Sequence, residues 1–134
     1  MKKTILFFIS SLFLFTLFSF MPKTTFQDPW PVPDSYKNKV NPIKGDVASI
    51  ATGKSLYTTH CKSCHGSKGK GDGPKAAQLD TESGDFTKAT FQAQTDGSLF
   101  YKTEKGRKDM PSYKTKIPDA NDIWAVVNFI RTFK

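Results

Sequence analysis

Cys61-Lys62-Ser63-Cys64-His65 is the stretch that decides how this chain folds. Cysteines three positions apart lie on one face of a helical turn, and the histidine follows the second cysteine directly. The pattern C-x-x-C-H attaches a haem covalently through two thioether bonds and supplies its histidine as a ligand to the iron. We therefore expect one haem c per chain, bound covalently by Cys61 and Cys64, with His65 as an axial ligand of the iron.

Three other kinds of site use two cysteines at this spacing. A thioredoxin-type redox pair lies at a helix N-terminus in a strand-rich α/β fold, whereas here a helical pattern precedes the cysteines. A zinc site needs four converging ligands, usually from two separated segments, but the nominal candidates all lie between His60 and His65. A plain disulfide leaves His65 without a role. The haem interpretation is favoured over these three, and His60 is expected to be a surface residue.

A helix is predicted directly before the motif, and a loop directly after it. Val47, Ile50 and Tyr57 recur at helical spacing, which indicates a helix over 46–60. The eight residues 66–73 include four glycines, and a stretch of that composition is typical of a loop. The cysteines are therefore expected where a helix passes into a loop.

Two further helices are predicted towards the C-terminus. Asp96 has the position of an N-cap for a helix that ends ahead of Gly106. Asp119 opens the last helix, along which apolar residues recur at i, i+3, i+4 and i+7: Ile123, Val126, Val127 and Ile130. No stretch alternates like a strand. The fold class is predicted to be all-α, with three to five helices around one covalently attached haem.

The first 22 residues have the composition of a targeting segment. Lys2 and Lys3 precede sixteen residues, 5–20, made only of Ile, Leu, Phe, Ser and Thr, which is a basic n-region followed by an apolar h-region. As a helix these residues would span about 24 Å, short of a hydrocarbon core about 30 Å thick. For 1–22 a cleaved signal peptide and a retained membrane anchor both stay open. Either predicts export to the periplasm, with membrane contact through 5–20 in the second case.

A proline-rich segment separates the targeting segment from the domain. Five of the eight prolines precede residue 46, and each disfavours helix in the residue before it. We predict that 23–45 is a tether and that 46–134 is a mono-haem domain. The alternative is that Trp30 and Tyr36 pack this segment onto the domain.

The charge of the chain bears on its partners. The formal net charge is +8, without a run of five or more basic residues. No motif for nucleic-acid binding is present, so no nucleic-acid partner is expected. The lysines either form an ordinary solvated surface or dock a redox protein with an acidic surface, and both interpretations stay open.

Met110 is the candidate for the second axial ligand of the iron. Met1 and Met21 are the other methionines, and both belong to the targeting segment. Methionine is usually a core filler, but the neighbours of Met110 at 107–109 are charged, and Pro111 stiffens the backbone. Met110 is therefore expected in a loop. A thioether in the sixth position closes the iron to other ligands and raises its potential.

From about Asp46 to Phe133 the chain resembles the class I c-type cytochromes, small mono-haem domains of the bacterial kind. The motifs that carry the likeness occur in the family's order: Gly53, Tyr57 and Cys61 at spacings of four, Cys64-His65-Gly66, Gly71-Asp72-Gly73-Pro74, Asp85-Phe86-Thr87, Asp96-Gly97, Leu99-Phe100, Gly106, Met110-Pro111, Tyr113, Trp124 and Phe129. Phe129 is a departure, because the family often has tyrosine there.

The resemblance implies a set of residue roles and a function. Cys61 and Cys64 bind the haem vinyl groups, His65 and Met110 are the axial ligands, and the Pro74 carbonyl accepts a hydrogen bond from Nδ1 of His65. Gly53 lets the first helix approach the last against Phe129. The implied protein is an electron carrier of an exported respiratory chain and not an enzyme. Two alternatives stay open: a membrane-anchored haem subunit of a larger oxidoreductase complex, and a haem-based binding or enzymatic domain whose Met110 dissociates.

Overall fold

The computed structural model describes residues 29–134, so the predictions for 1–22 and for the first residues of the tether lie outside the described residues. Within 29–134 the backbone forms six α-helices, one short 3-10 helix and no strand. An isolated bridge joins Arg107 and Met110. The predicted all-α fold is confirmed. Across 29–134 we find no helix with the length and apolar character needed to cross a membrane.

The helices differ greatly in length. In chain order they are α1 Asp34–Lys37, α2 Val47–His60, α3 Lys62–His65, α4 Ala89–Gln92, α5 Asp96–Lys105 and α6 Ala120–Ile130, with the 3-10 turn at Ala76–Gln78 before α4. Helices α2, α5 and α6 have ten residues or more and form the body of the domain, whereas the others are single turns.

The N-termini of the long helices are capped by polar side chains. Asp46 and Asp119 accept hydrogen bonds from backbone N–H groups two residues further on, at 3.0 and 2.8 Å, as the sequence indicates for α6. The prediction of Asp96 as the cap of α5 is wrong by one residue, because Thr95 is the cap. Asp96 instead lies in the first turn, where its carboxylate accepts hydrogen bonds from the Arg131 guanidinium at 2.7 and 2.8 Å.

Helices α2 and α6 cross at Gly53. A methyl group at this position would overlap the backbone carbonyl of Ala125 and lie 3.0 Å from Cβ of Phe129. The helices can approach this closely because glycine has no side chain. The Tyr57 ring, one turn further along α2, packs on Phe129 at 5.2 Å between centroids. The expectation that Gly53 lets the first helix approach the last is confirmed.

The core is formed by α2, α5 and α6 together. Trp124 and Phe100 pack ring on ring, with centroids 4.3 Å apart. Val126 and Val127 are fully buried, so the predicted apolar face of α6 is the face that forms the core.

The proline-rich segment packs on the domain from residue 29 onward. The Tyr36 ring meets Tyr101 edge-on at 4.8 Å, and its hydroxyl donates to the Glu104 carboxylate at 2.9 Å. At Gly97 a methyl group would overlap the Tyr36 carbonyl, so this part of the segment lies directly against α5.

A buried amide pair ties the end of this segment to α6. Nδ2 of Asn41 donates to Oδ1 of Asn128 at 2.8 Å, and both side chains are buried. Residues 29–45 therefore hold their place on the domain through aromatic contacts and buried hydrogen bonds, which agrees with the alternative that Trp30 and Tyr36 pack this segment onto the domain and not with a tether over this range. We call residues 29–45 the strap.

Candidate functional site

One cavity brings together the residues of the C-x-x-C-H motif and the distant methionine. Its volume is about 340 Å³, and Cys61, Cys64, His65 and Met110 all line it. Its apolar wall includes Leu79, Phe86, Phe91, Leu99, Val126 and Ile130. The four side chains predicted to hold a haem and its iron therefore share one cavity with an apolar wall.

The motif is held by helical hydrogen bonds at the end of α2. The Cys61 N–H donates to the Tyr57 carbonyl at 2.9 Å, and the His65 N–H donates to the Cys61 carbonyl at 2.9 Å. Helix α3 ends at Gly66, whose φ of +80° lies in the left-handed region that favours glycine. The Tyr57 hydroxyl donates to the Gly66 carbonyl at 2.7 Å and so closes the turn against α2.

The two thiols are free, and Cys61 is buried whereas Cys64 is half-buried. Burial raises the pKa of the Cys61 thiol to about 12, and the neighbouring Cys64 adds to the rise. A redox-active cysteine needs a lowered pKa, so this environment disfavours the thioredoxin-type interpretation. Within 29–134 no group of three or more His, Cys, Asp or Glu side chains could hold a metal ion, which leaves the zinc interpretation without support.

The His65 imidazole lies buried in the cavity wall. Its ring stacks on Phe86 at 4.5 Å between centroids. Burial lowers its pKa to about 4, so the ring is neutral at physiological pH, and the neutral ring is the form that ligates a metal. Among the residues described, its buried Nδ1 has no hydrogen-bond partner.

The Pro74 carbonyl does not accept a hydrogen bond from Nδ1 of His65 in this structure. The His65 ring instead stacks on Phe86 and makes a hydrogen bond with the Ser83 backbone. The loop nevertheless lies close to α3, because the N–H groups of Gly73 and Lys75 donate to carbonyls of the motif at 3.1 and 2.9 Å. The role of Pro74 as an acceptor stays a prediction.

Met110 ends a tight turn that begins at Arg107. The Arg107 N–H donates to the Met110 carbonyl at 2.8 Å, and the Met110 N–H donates to the Arg107 carbonyl at 3.0 Å. Within the turn Lys108 has a φ of +52°. At Gly106 a methyl group would overlap the backbone of Met110 and Pro111, so α5 must end in a glycine for the turn to fold back here. Met110 lies in a loop, as predicted, and its side chain packs against the core.

A second contact holds the Met110 turn and was not predicted. The Asp109 carboxylate accepts hydrogen bonds from the Thr81 N–H at 2.9 Å and from the Thr81 hydroxyl at 2.6 Å. These bonds keep the pKa of Asp109 below its ordinary value. Thr81 also lines the cavity. Two loops 28 residues apart in the chain are therefore joined beside Met110, and no local pattern indicates such a pair.

His60 is not the exposed surface residue that the sequence suggested. It is half-buried and lines the cavity. Its carbonyl accepts a hydrogen bond from the Tyr113 hydroxyl at 2.7 Å, and the two rings lie 5.9 Å apart. This contact joins the end of α2 to the segment after Met110 and covers the His60 ring.

Comparison with known proteins adds to this geometry. The profile of the cytochrome c family matches residues 50–134, which is more than half of the chain. The chain belongs to the cytochrome c family. Membership implies a covalently bound haem c, in agreement with the spacing of Cys61 and Cys64. No curated protein matches this cytochrome.

A solved structure similar to this cytochrome is a chain of the Kuenenia stuttgartiensis reducing HAO-like protein complex. The two are 23% identical, with a TM-score of 0.63 over 81% of the cytochrome and 52% of the other chain. At this identity the likeness shows the fold alone. The cytochrome spans about half the length of that chain.

The cavity residues of this cytochrome fit the haem c that the family implies. Two thiols at thioether spacing, a neutral buried imidazole and a methionine side chain all line the cavity. Cys61 and Cys64 would hold the group, in the cavity that His65 and Met110 also line.

Proposed function

We propose that this protein carries single electrons through a haem c that is ligated by His65 and Met110, in a respiratory chain outside the cytoplasmic membrane. The observation that carries the proposal is the presence of Met110 on the same cavity as the C-x-x-C-H motif. When bound, the haem supplies an iron that takes up and releases one electron. A thioether in the sixth position leaves no room for a substrate, so the proposed role is that of a carrier and not of an enzyme.

The protein's own side chains perform two tasks in this proposal. The turn from Arg107 and the Asp109–Thr81 contact hold the Met110 side chain against the core. The apolar wall, in which Phe86 and Phe91 stack at 4.4 Å, would limit the access of water to a bound haem. Limited access of water tunes the reduction potential of the iron.

The reduced protein is expected not to bind carbon monoxide. Carbon monoxide needs an open sixth position, and Met110 would fill it. The measurement is the absorption spectrum of the reduced, matured protein with and without carbon monoxide. The same protein in denaturant, where the Met110 turn is lost, is the positive control. A full spectral shift in the native protein would contradict the carrier proposal and favour a haem domain that binds ligands or catalyses a reaction.

We also propose that basic residues near the cavity dock an acidic redox partner. The chain carries a net charge of +8, and the cavity rim includes Lys102, Arg107 and Lys108 beside Glu82 and Asp109. Electron transfer to the partner is expected to slow several-fold between about 0.01 and 0.15 M salt, because the screening length falls from about 30 to about 8 Å. Stopped-flow spectroscopy measures this rate. A rate that does not depend on salt would overturn the docking proposal, and a neutral dye serves as the control oxidant.

The alternative function is that of a haem subunit of a larger oxidoreductase complex. Its support is the similar solved structure, which is that of a protein complex. In this proposal the apolar residues 5–20 anchor the protein in the cytoplasmic membrane, and the strap forms part of the interface. Purification from membranes discriminates between the two, since a subunit copurifies with its complex and a carrier is recovered as a monomer.

A further inference from the structure

The strap contributes to the wall of the cavity. Pro29 and Trp30 line it together with the motif residues, although they lie about twenty residues ahead of the segment that matches the family, which begins at residue 50. Val32, two residues further on, is buried with 8% of its surface exposed. The strap is therefore anchored next to the point where Trp30 meets the cavity.

The indole of Trp30 is held by two cations that line the same cavity. The Arg107 guanidinium lies 4.7 Å from the centre of the Trp30 ring, and Nζ of Lys102 lies 5.4 Å from it. Both distances are within the range of about 6 Å over which cations attract an aromatic face. Nη1 of Arg107 also donates to the Pro29 carbonyl at 2.8 Å, which ties the backbone of the strap to the Met110 turn.

We infer that Trp30 is a haem-contacting residue and that the strap is a structural part of the cofactor site. This inference rests on a haem lying in the cavity, which family membership implies, and does not depend on Met110 being a ligand. An indole in the wall replaces water with an apolar surface. Lower water access disfavours the more highly charged oxidised iron, so Trp30 should raise the reduction potential.

The unaltered chain provides the first test. The protein has two tryptophans, Trp30 and Trp124, so labelling tryptophan with nitrogen-15 gives two indole N–H signals in the NMR spectrum. The signal that is missing from the spectrum of Trp30→Phe belongs to Trp30. The Trp30 signal is expected to move when the matured protein is reduced, because the iron changes its spin state or charge close to the ring. A Trp30 signal that stays at the position of an exposed tryptophan in both oxidation states would overturn the inference.

Variants provide the second test, by redox titration of the matured protein. Trp30→Ala should lower the reduction potential. Trp30→Phe retains an apolar ring and should therefore lower the reduction potential only slightly. Val40→Ala is the matched control, since Val40 lies in the strap with 84% of its surface exposed and does not line the cavity. Equal potentials for Trp30→Ala and Val40→Ala would overturn the inference. Trp30→Ala should keep the charge-transfer band that a methionine ligand gives in the oxidised protein. If the unaltered protein lacks this band, the proposed ligation by Met110 is wrong, but the inference about Trp30 is unaffected.

Discussion

Replacing Met110 with alanine is expected to remove the Met–iron charge-transfer band from the spectrum of the oxidised protein and to lower its reduction potential. Alanine has no atom that can reach the iron from this turn, so a harder ligand or water takes the sixth position. Axial ligands set haem potentials over a range of about 0.8 V, and a loss of about a few tenths of a volt is expected. Absorption spectra and a redox titration of the matured protein measure both effects.

The Pro111→Ala variant is the control for this experiment. It removes the stiff residue beside Met110 but keeps the thioether, so the charge-transfer band should remain. The reduced Met110→Ala protein should also bind carbon monoxide, which the unaltered protein should not. A band of unchanged intensity in Met110→Ala would show that another residue fills the sixth position, and the proposed ligation by His65 and Met110 would then be wrong.

Replacing Gly53 with alanine is expected to destabilise the matured protein by about 2–4 kcal/mol, because a side chain at this position forces two packed helices apart. The added methyl group would overlap the Ala125 carbonyl of α6. Alanine is more favourable than glycine inside a helix by about 1 kcal/mol. The measured loss of stability is therefore the cost of the clash minus this gain. Guanidinium unfolding, followed through the helical circular dichroism, gives the change in free energy.

The neighbouring Thr52→Ala variant is the matched control for Gly53→Ala. Thr52 is exposed on the same helix, so its replacement should change the free energy of unfolding by less than about 0.5 kcal/mol. If both variants were equally stable, the contact between α2 and α6 at Gly53 would not be as close as described. The outcome is independent of the iron ligands.

The features that could be predicted from the sequence are those that depend on residues close together in the chain. The C-x-x-C-H motif, the cap of α6 at Asp119 and the apolar face of that helix each occupy one short stretch, so spacing alone indicates them. The resemblance to c-type cytochromes added the role of Gly53, whose partners lie far along the chain. Met110 could be named from the sequence itself, because it is the one methionine outside the targeting segment and its charged neighbours indicate a loop.

The features that were missed depend on contacts between distant segments. Thr81 and Asp109 are joined across 28 residues, and neither stands out from the other polar loop residues. Trp30 was recognised as a residue that could pack on the domain, but nothing in the sequence shows that it reaches the cavity. The cap of α5 was misplaced because Thr95 and Asp96 are both residue types that cap helices well. In the structure the Asp96 carboxylate accepts hydrogen bonds from Arg131, and Thr95 caps the helix.

The buried amide of Asn128 defines where the folding unit begins. Its Nδ2 donates to the Ile43 carbonyl and to Oγ of Ser49, each at 2.7 Å, while its Oδ1 accepts from Asn41. A chain cut at residue 46 would leave this polar side chain half-satisfied in the middle of the last helix, at a cost of about 1–3 kcal/mol. Asn128 therefore couples the last helix to residues 41–43 of the strap, so the folding unit of this chain begins before the first long helix and not at it.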